Sequence, residues 1–125
     1  MNTKVLNTLE YTKIISMLCE RAASSLGKEY CQKLLPSSDI TEIRRMQTNT
    51  ADALSHIYGR GEPSFSGAKD IRPSLLRLEM GASLGAPELL AISSLLHVAS
   101  RIKTYSRDLP EDSLTELFDG IEPLT

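Results

Sequence analysis

Three basic side chains lie close together late in the sequence, at Arg101, Lys103 and Arg107. Lysine and arginine bind the phosphates of nucleic acids through charge and hydrogen bonds. The same residue types also stabilise the C-terminal end of a helix, where exposed carbonyl groups carry partial negative charge. The three residues are therefore the candidate nucleic-acid contact of the chain, and a purely structural role for them stays open.

The pair Gly27-Lys28 is the next candidate, because a lysine after a glycine can bind nucleotide phosphates. A phosphate-binding loop also needs a glycine five residues before that glycine and a serine or threonine after the lysine. Ala22 and Glu29 occupy these two positions. The sequence therefore predicts no ATP-binding loop.

His56 and His97 are the only histidines and lie 41 residues apart. Neither has a cysteine, histidine or carboxylate three or four residues later, where a second metal ligand or a base partner would share its helix face. We expect each to be exposed or internally satisfied. Cys19 and Cys31 show no zinc-ligand spacing, so two buried, reduced thiols are predicted. The chain is thus predicted to hold no catalytic residue, metal or cofactor.

The charge is uneven along the chain. Residues 1–107 carry 14 basic and 10 acidic side chains, whereas residues 108–125 carry six acidic and no basic ones. The first part is compatible with weak contact to a phosphate backbone, and the acidic end would repel one. An apolar content of 41% excludes a disordered chain. No secretory signal or membrane span is recognisable, so a cytoplasmic location without membrane partners is expected.

Apolar residues recur every three or four positions, which predicts an all-α fold of helical hairpins. Proline and glycine mark the interruptions between helices. Asp39 and Glu42 have the spacing of a capping box, which predicts a helix start. The predicted helices cover residues 11–22, 26–35, 40–58 and 87–107, with a short helix after Asp70 and a turn or two within 111–118.

The third predicted helix carries a seam of residues spaced alternately by three and four. Its members are Ile40, Ile43, Gln47, Thr50, Leu54 and Ile57. This spacing is typical of a coiled coil, although the two central positions are polar and would weaken a simple one. We expect this seam to contact parts of a longer protein.

The order of several segments resembles the N-terminus of the second bacterial MutS branch, the MutS paralogue with a C-terminal Smr endonuclease domain. No single segment is specific, but the ordered set is. The segments are Lys4–Ile14, Ala22–Lys28, Leu35–Ile40, Asp70–Pro73 with Arg77 and Gly81, and Pro87–Leu90. The resemblance implies that residues 1–108 form the start of the MutS core, or lever, domain. Residues 109–125 match less clearly and are expected to form an acidic end with a short helix.

The resemblance also implies what the longer protein does. Such a protein is expected to be a homodimeric ATPase and endonuclease that binds branched or mismatched DNA, suppresses recombination and acts in the rescue of stalled ribosomes. ATP and magnesium would bind outside this chain, which would serve as a lever or scaffold. One departure is Ala86, where the family has serine or threonine before the proline that opens the last long helix. We expect a helix cap weaker by about 1 kcal/mol there.

Two alternatives to the lever remain open. In the first alternative, the chain is a helical module that docks on a protein or on the ribosome without touching nucleic acid. In the second, it is a free-standing helical scaffold. Phosphate contacts make affinity fall steeply with salt, whereas an apolar docking surface does not. Salt dependence of binding therefore separates the lever from the docking module.

Overall fold

A computed structural model describes residues 3–122 of the chain. Within these residues the chain forms seven α-helices and no strand, which confirms the predicted all-α class. The helices are α1 (Thr3–Thr8), α2 (Tyr11–Arg21), α3 (Ser25–Gln32), α4 (Ile40–Arg60), α5 (Arg72–Glu79), α6 (Ala86–Ser106) and α7 (Thr115–Asp119). The described residues fall into two compact units, one up to Pro36 and one from Ser37 onward.

The first unit is built from α2 and α3, which pack against each other, with α1 beside α2. The hydroxyl of Tyr11 donates to the carbonyl of Leu34 at 2.6 Å and so joins the start of α2 to the chain after α3. Ser24 caps α3 by accepting from the backbone N–H of Gly27 at 3.0 Å. A Cβ on that glycine would lie 3.1 Å from the Ser24 hydroxyl, so the glycine serves this helix start.

Two expectations about the first unit change in the structure. The helix predicted to reach Leu35 ends at Gln32, because the backbone of Lys33 already turns back onto the carbonyl groups of the last turn. Cys19 and Cys31 are partly exposed free thiols on α2 and α3, not buried ones. A layer of two short helices is too thin to cover them.

In the second unit, α4 begins at the predicted cap. The carboxylate of Asp39 accepts from the backbone N–H groups of Thr41 at 2.9 Å and Glu42 at 3.5 Å. The reciprocal half of the predicted capping box is different, since the Glu42 carboxylate accepts from the Ser37 hydroxyl at 2.8 Å. That hydroxyl in turn accepts from the Asp39 N–H at 3.1 Å, so Ser37 relays the contact.

The buried centre of the second unit is small. Within the described residues, the buried side chains are Val98 and Ile102 of α6 and His56 of α4. The inward side of α4 is made by His56 and the half-buried Ile43, Met46, Asn49, Asp52 and Ala53. Of the predicted seam, Ile43 is half-buried, whereas Ile40, Leu54 and Ile57 are exposed.

A turn and an ion pair lead from α5 into α6. Arg77 of α5 pairs with Glu88 in the first turn of α6. Gly81 has φ 84°, in the left-handed region that favours glycine, and lets the chain turn after α5. Gly85, not Ala86, is the N-cap of α6, and no side chain caps that helix.

No helix in the described range has the length and apolar character to cross a membrane.

Candidate functional site

The three predicted nucleic-acid contacts lie at the C-terminal end of α6, but not on one face. With 3.6 residues per turn, Arg101 is roughly 120–160° around the helix from Lys103 and Arg107. Arg101 donates to the carbonyl of Ser66 in the loop between α4 and α5. The ammonium of Lys103 donates to the carbonyl of Phe118 at 3.1 Å, in a part-buried position. Arg107 is exposed and ends the helix.

The acidic end folds back onto α4, through a contact we call the clasp: Asp52 and His56 on α4, with Asp112 and Ser113 opposite them. Nε2 of His56 lies 2.8 Å from Oδ2 of Asp112, and the imidazole is only 6% exposed. This contact is a salt bridge when the imidazole is protonated. The rings of His56 and Phe118 meet edge to face, with ring centroids 6.2 Å apart. The clasp thus places a carboxylate against the most buried polar side chain of the unit.

Local hydrogen bonds hold Asp112 in place. Its Oδ1 accepts from the backbone N–H of Leu114 at 2.9 Å. Its own N–H donates to the Thr115 hydroxyl at 2.8 Å. These bonds fix the turn that leads into α7, so the carboxylate meets His56 with its orientation already set.

One turn before His56 on α4, Asp52 makes the second half of the clasp. Its carboxylate accepts from the Ser113 hydroxyl at 2.5 Å and from the Ser113 N–H at 3.1 Å. These two hydrogen bonds hold the pKa of Asp52 below its usual value against a small opposing effect of desolvation, and the nearby His56 adds to the lowering. Because Ser113 donates to Asp52, its hydroxyl is not positioned as a nucleophile activated by the imidazole.

Further contacts of Tyr105 and Arg60 join the ends of α4 and α6. The hydroxyl of Tyr105 donates to the carbonyl of Gly61 at 2.8 Å. The guanidinium of Arg60 lies 5.8 Å from the centre of the Tyr105 ring and 3.7 Å from the carboxylate of Asp108.

A cleft of about 230 Å³ beside the clasp is lined by Arg107 together with the acidic Glu111, Asp112 and Asp119. Carboxylates therefore lie beside the exposed Arg107.

The partner of His56 was not predicted from the sequence, because Asp112 lies 56 residues away along the chain. The nearest signal was Asp52, four residues before the histidine rather than after it. His97 is exposed, as expected of a histidine without a partner. Among residues 3–122, no group of three or more histidine, cysteine or acidic side chains is arranged to hold a metal ion.

One serine motif lies outside the candidates taken from the sequence. Residues 81–85, Gly-Ala-Ser-Leu-Gly, match the Gly-x-Ser-x-Gly pattern of hydrolase nucleophiles. That chemistry requires a strand, a sharp turn and a helix. Here the motif joins two helices, and Ser83 is exposed with its carbonyl accepting from Arg77 at 3.4 Å. The match therefore marks a turn and not a nucleophile.

No protein-family model matches the chain, but individual proteins do. It is 49% identical over 134 residues to a protein named Endonuclease MutS2 from Lachnoclostridium phytofermentans, covering all of this chain and 17% of that protein. It is 48% identical over 129 residues to the Endonuclease MutS2 of Agathobacter rectalis, with 100% and 16% covered. The corresponding protein of Acetivibrio thermocellus is 44% identical over 106 residues, with 85% and 13% covered. The chain spans about a sixth of the length of these curated relatives, in their N-terminal region.

Proposed function

We propose that this chain is a helical structural segment of a DNA-processing enzyme. The chain belongs to the MutS2 family and matches the N-terminal region of its longer members. In this proposal the longer protein acts in the cytoplasm as a homodimeric ATPase and endonuclease. It binds branched or mismatched DNA, suppresses recombination and takes part in the rescue of stalled ribosomes. ATP and magnesium bind to parts of that protein outside this chain.

The observation that carries the proposal is the pair of long helices fixed to each other at one end. Helices α4 and α6 have 21 residues each, which corresponds to about 31 Å of length. Tyr105 and Arg60 join their ends, and the clasp adds a third attachment through the acidic segment. Two long helices joined in this way move as one rigid body when a neighbouring domain shifts, and a lever requires such rigid-body motion.

The proposal assigns nucleic-acid contact to Arg101, Lys103 and Arg107, with Arg107 contributing most of it. Arg107 is exposed, whereas Lys103 already donates to Phe118 and Arg101 to Ser66. The acidic side chains beside Arg107 weaken this contact, so we expect low affinity and a small number of phosphates engaged.

Salt dependence of binding tests this assignment. Fluorescence anisotropy with labelled four-way-junction DNA between 25 and 200 mM salt should show an affinity that falls steeply as salt rises. Arg107→Ala should lower the slope of log affinity against log salt by about 1. The matched control is Arg44→Ala. Arg44 is an exposed arginine near the start of α4, and its replacement should leave the slope unchanged. Equal slopes for the two variants would contradict the assignment.

The second candidate is a docking module for a protein or for the ribosome. It is favoured by large apolar side chains exposed near the junction of α5 and α6. Leu76 is 60% exposed, Met80 86% and Leu90 68%. If docking is the function, binding to the partner is nearly independent of salt and is lost with Leu76→Glu rather than with Arg107→Ala.

A further inference from the structure

The acidic segment, residues 108–122, lies against two cations that the proposed function assigns to nucleic acid. The segment carries six acidic side chains and no basic one. Lys103 is half-buried, and its ammonium donates to the carbonyl of Phe118 in this segment at 3.1 Å. Lysine binds a phosphate through the same kind of contact to an oxygen. The segment therefore already occupies the hydrogen-bonding group that a phosphate would need.

Arg107 follows Lys103 by one turn, so the two residues lie about 40° apart around α6. Arg107 lines the cleft beside the clasp together with the exposed Glu111 and Asp119. No basic residue of the segment balances these carboxylates. A nucleic-acid phosphate that approaches this side of α6 is therefore repelled by the segment.

The contacts that hold the segment leave it partly open to solvent. At the clasp, Asp112 lies 2.8 Å from His56, and Ser113 donates to Asp52. Near the end of the segment, the ring of Phe118 packs against that of His56. No residue between 108 and 122 is fully buried, and a cleft of about 230 Å³ remains beside the clasp. A segment packed in this way opens at a lower free energy than the core of its unit.

We propose that the acidic segment is an internal competitor of nucleic acid. With the clasp closed, the segment covers Lys103 and shields Arg107. With the clasp open, both cations are free to bind phosphates. The inference rests on the proposed nucleic-acid contact and adds the regulation of that contact. Because the segment and a phosphate compete for the same side of α6, the coupling is reciprocal: opening the clasp strengthens binding, and binding opens the clasp.

Asp112→Ala tests the first half of this coupling, because it removes the carboxylate that the clasp places against His56. The matched control is Glu116→Ala, which changes the net charge by the same amount at an exposed position outside the clasp. In fluorescence anisotropy with labelled four-way-junction DNA at 25 mM salt, Asp112→Ala should bind about 10-fold more tightly than Glu116→Ala. The slope of log affinity against log salt should also become steeper by about 1, since Lys103 adds one phosphate contact.

Lys103→Ala identifies the cation that is released. In the Asp112→Ala background it should return the salt slope to the wild-type value, because the added phosphate contact is gone. Acetylation of the lysine ammonium groups without DNA, followed by mass spectrometry, measures the shielding independently. Lys103 should react faster in Asp112→Ala than in the wild-type chain, whereas the exposed Lys69 should react equally in both.

Hydrogen exchange of the wild-type chain tests the second half of the coupling and needs no substitution. Saturating four-way-junction DNA should accelerate exchange in residues 109–119, because binding opens the clasp. A segment that only completes the fold would keep its exchange rate or become protected when DNA binds.

The outcomes for DNA binding separate the competitor from the contact itself. Suppose that the wild-type chain binds DNA but Asp112→Ala binds no more tightly than Glu116→Ala, or that DNA does not accelerate exchange in the segment. The competitor is then refuted, and the contact at Arg107 stands. If neither the wild-type chain nor Asp112→Ala binds DNA at 25 mM salt, the proposed contact fails and the competitor fails with it.

Discussion

The clasp makes a specific prediction for His56→Ala. The substitution removes a side chain that is only 6% exposed and leaves the Asp112 carboxylate, 18% exposed, without its partner. It also removes the ring that packs against Phe118. The acidic segment should then detach from α4 more easily than in the wild-type chain.

The magnitude follows from the burial of the two partners. Removing one member of a fully buried ion pair costs about 3–5 kcal/mol. The Asp112 carboxylate is partly exposed to solvent and still accepts from the Leu114 N–H, so the cost of losing His56 is smaller than for a fully buried pair. We expect a loss of about 2–3 kcal/mol in the free energy of unfolding of the second unit. His97→Ala removes an exposed histidine from the middle of α6 and should change this free energy by less than about 0.5 kcal/mol.

Urea unfolding followed by circular dichroism at 222 nm measures the difference between these two variants. Hydrogen exchange of the peptide that contains residues 109–119 locates it, because exchange in this segment should accelerate in His56→Ala and not in His97→Ala. If the two variants are equally stable and exchange equally, the contact between His56 and Asp112 does not hold the segment.

Three smaller predictions concern single positions. Hydrogen bonds from the side chain of Arg72 and, to a lesser extent, from its backbone N–H lower the pKa of Asp70 to about 2. The stability from this contact is therefore present above about pH 4 and is lost as pH falls through 2. Arg72→Ala should raise the NMR titration midpoint of Asp70. Gly85→Ser should stabilise the chain by about 0.5–1 kcal/mol in thermal unfolding, because it adds a capping hydroxyl to α6 and its Cβ meets only Pro87 at 3.7 Å. Gly81→Ala should destabilise by about 1 kcal/mol, since φ is 84° there and no atom is near enough to compensate; no change in urea midpoint would contradict that strain.

Much of the helical structure could be predicted from the sequence, because helix starts and stops are local. Asp39 begins α4 at the predicted residue, and α6 begins one residue before the predicted Pro87. The short α1 was not predicted, since its six residues are too few to show a helical period. The cap of α6 was placed on Ala86, but the chain enters that helix through an extended Gly85.

The site could not be predicted in the same way, because its contacts join residues far apart in sequence. The periodicity of α4 shows an apolar seam, yet the side of α4 that packs inward also carries the polar His56, Asn49 and Asp52 beside its apolar residues. Which side packs is decided by the acidic segment, whose Asp112 and Ser113 supply partners for polar groups. The seam itself was expected to contact parts of a longer protein, and of its apolar residues Ile40, Leu54 and Ile57 are exposed in this chain.

The proposal that this chain is a structural segment without catalytic chemistry is tested most directly by an endonuclease assay on the purified chain. Supercoiled plasmid incubated with the chain, ATP and magnesium should remain uncut at all protein concentrations. Plasmid cleavage that rises with the amount of wild-type chain and is lost in His56→Ala, but not in His97→Ala, would contradict the account and place catalysis at the clasp.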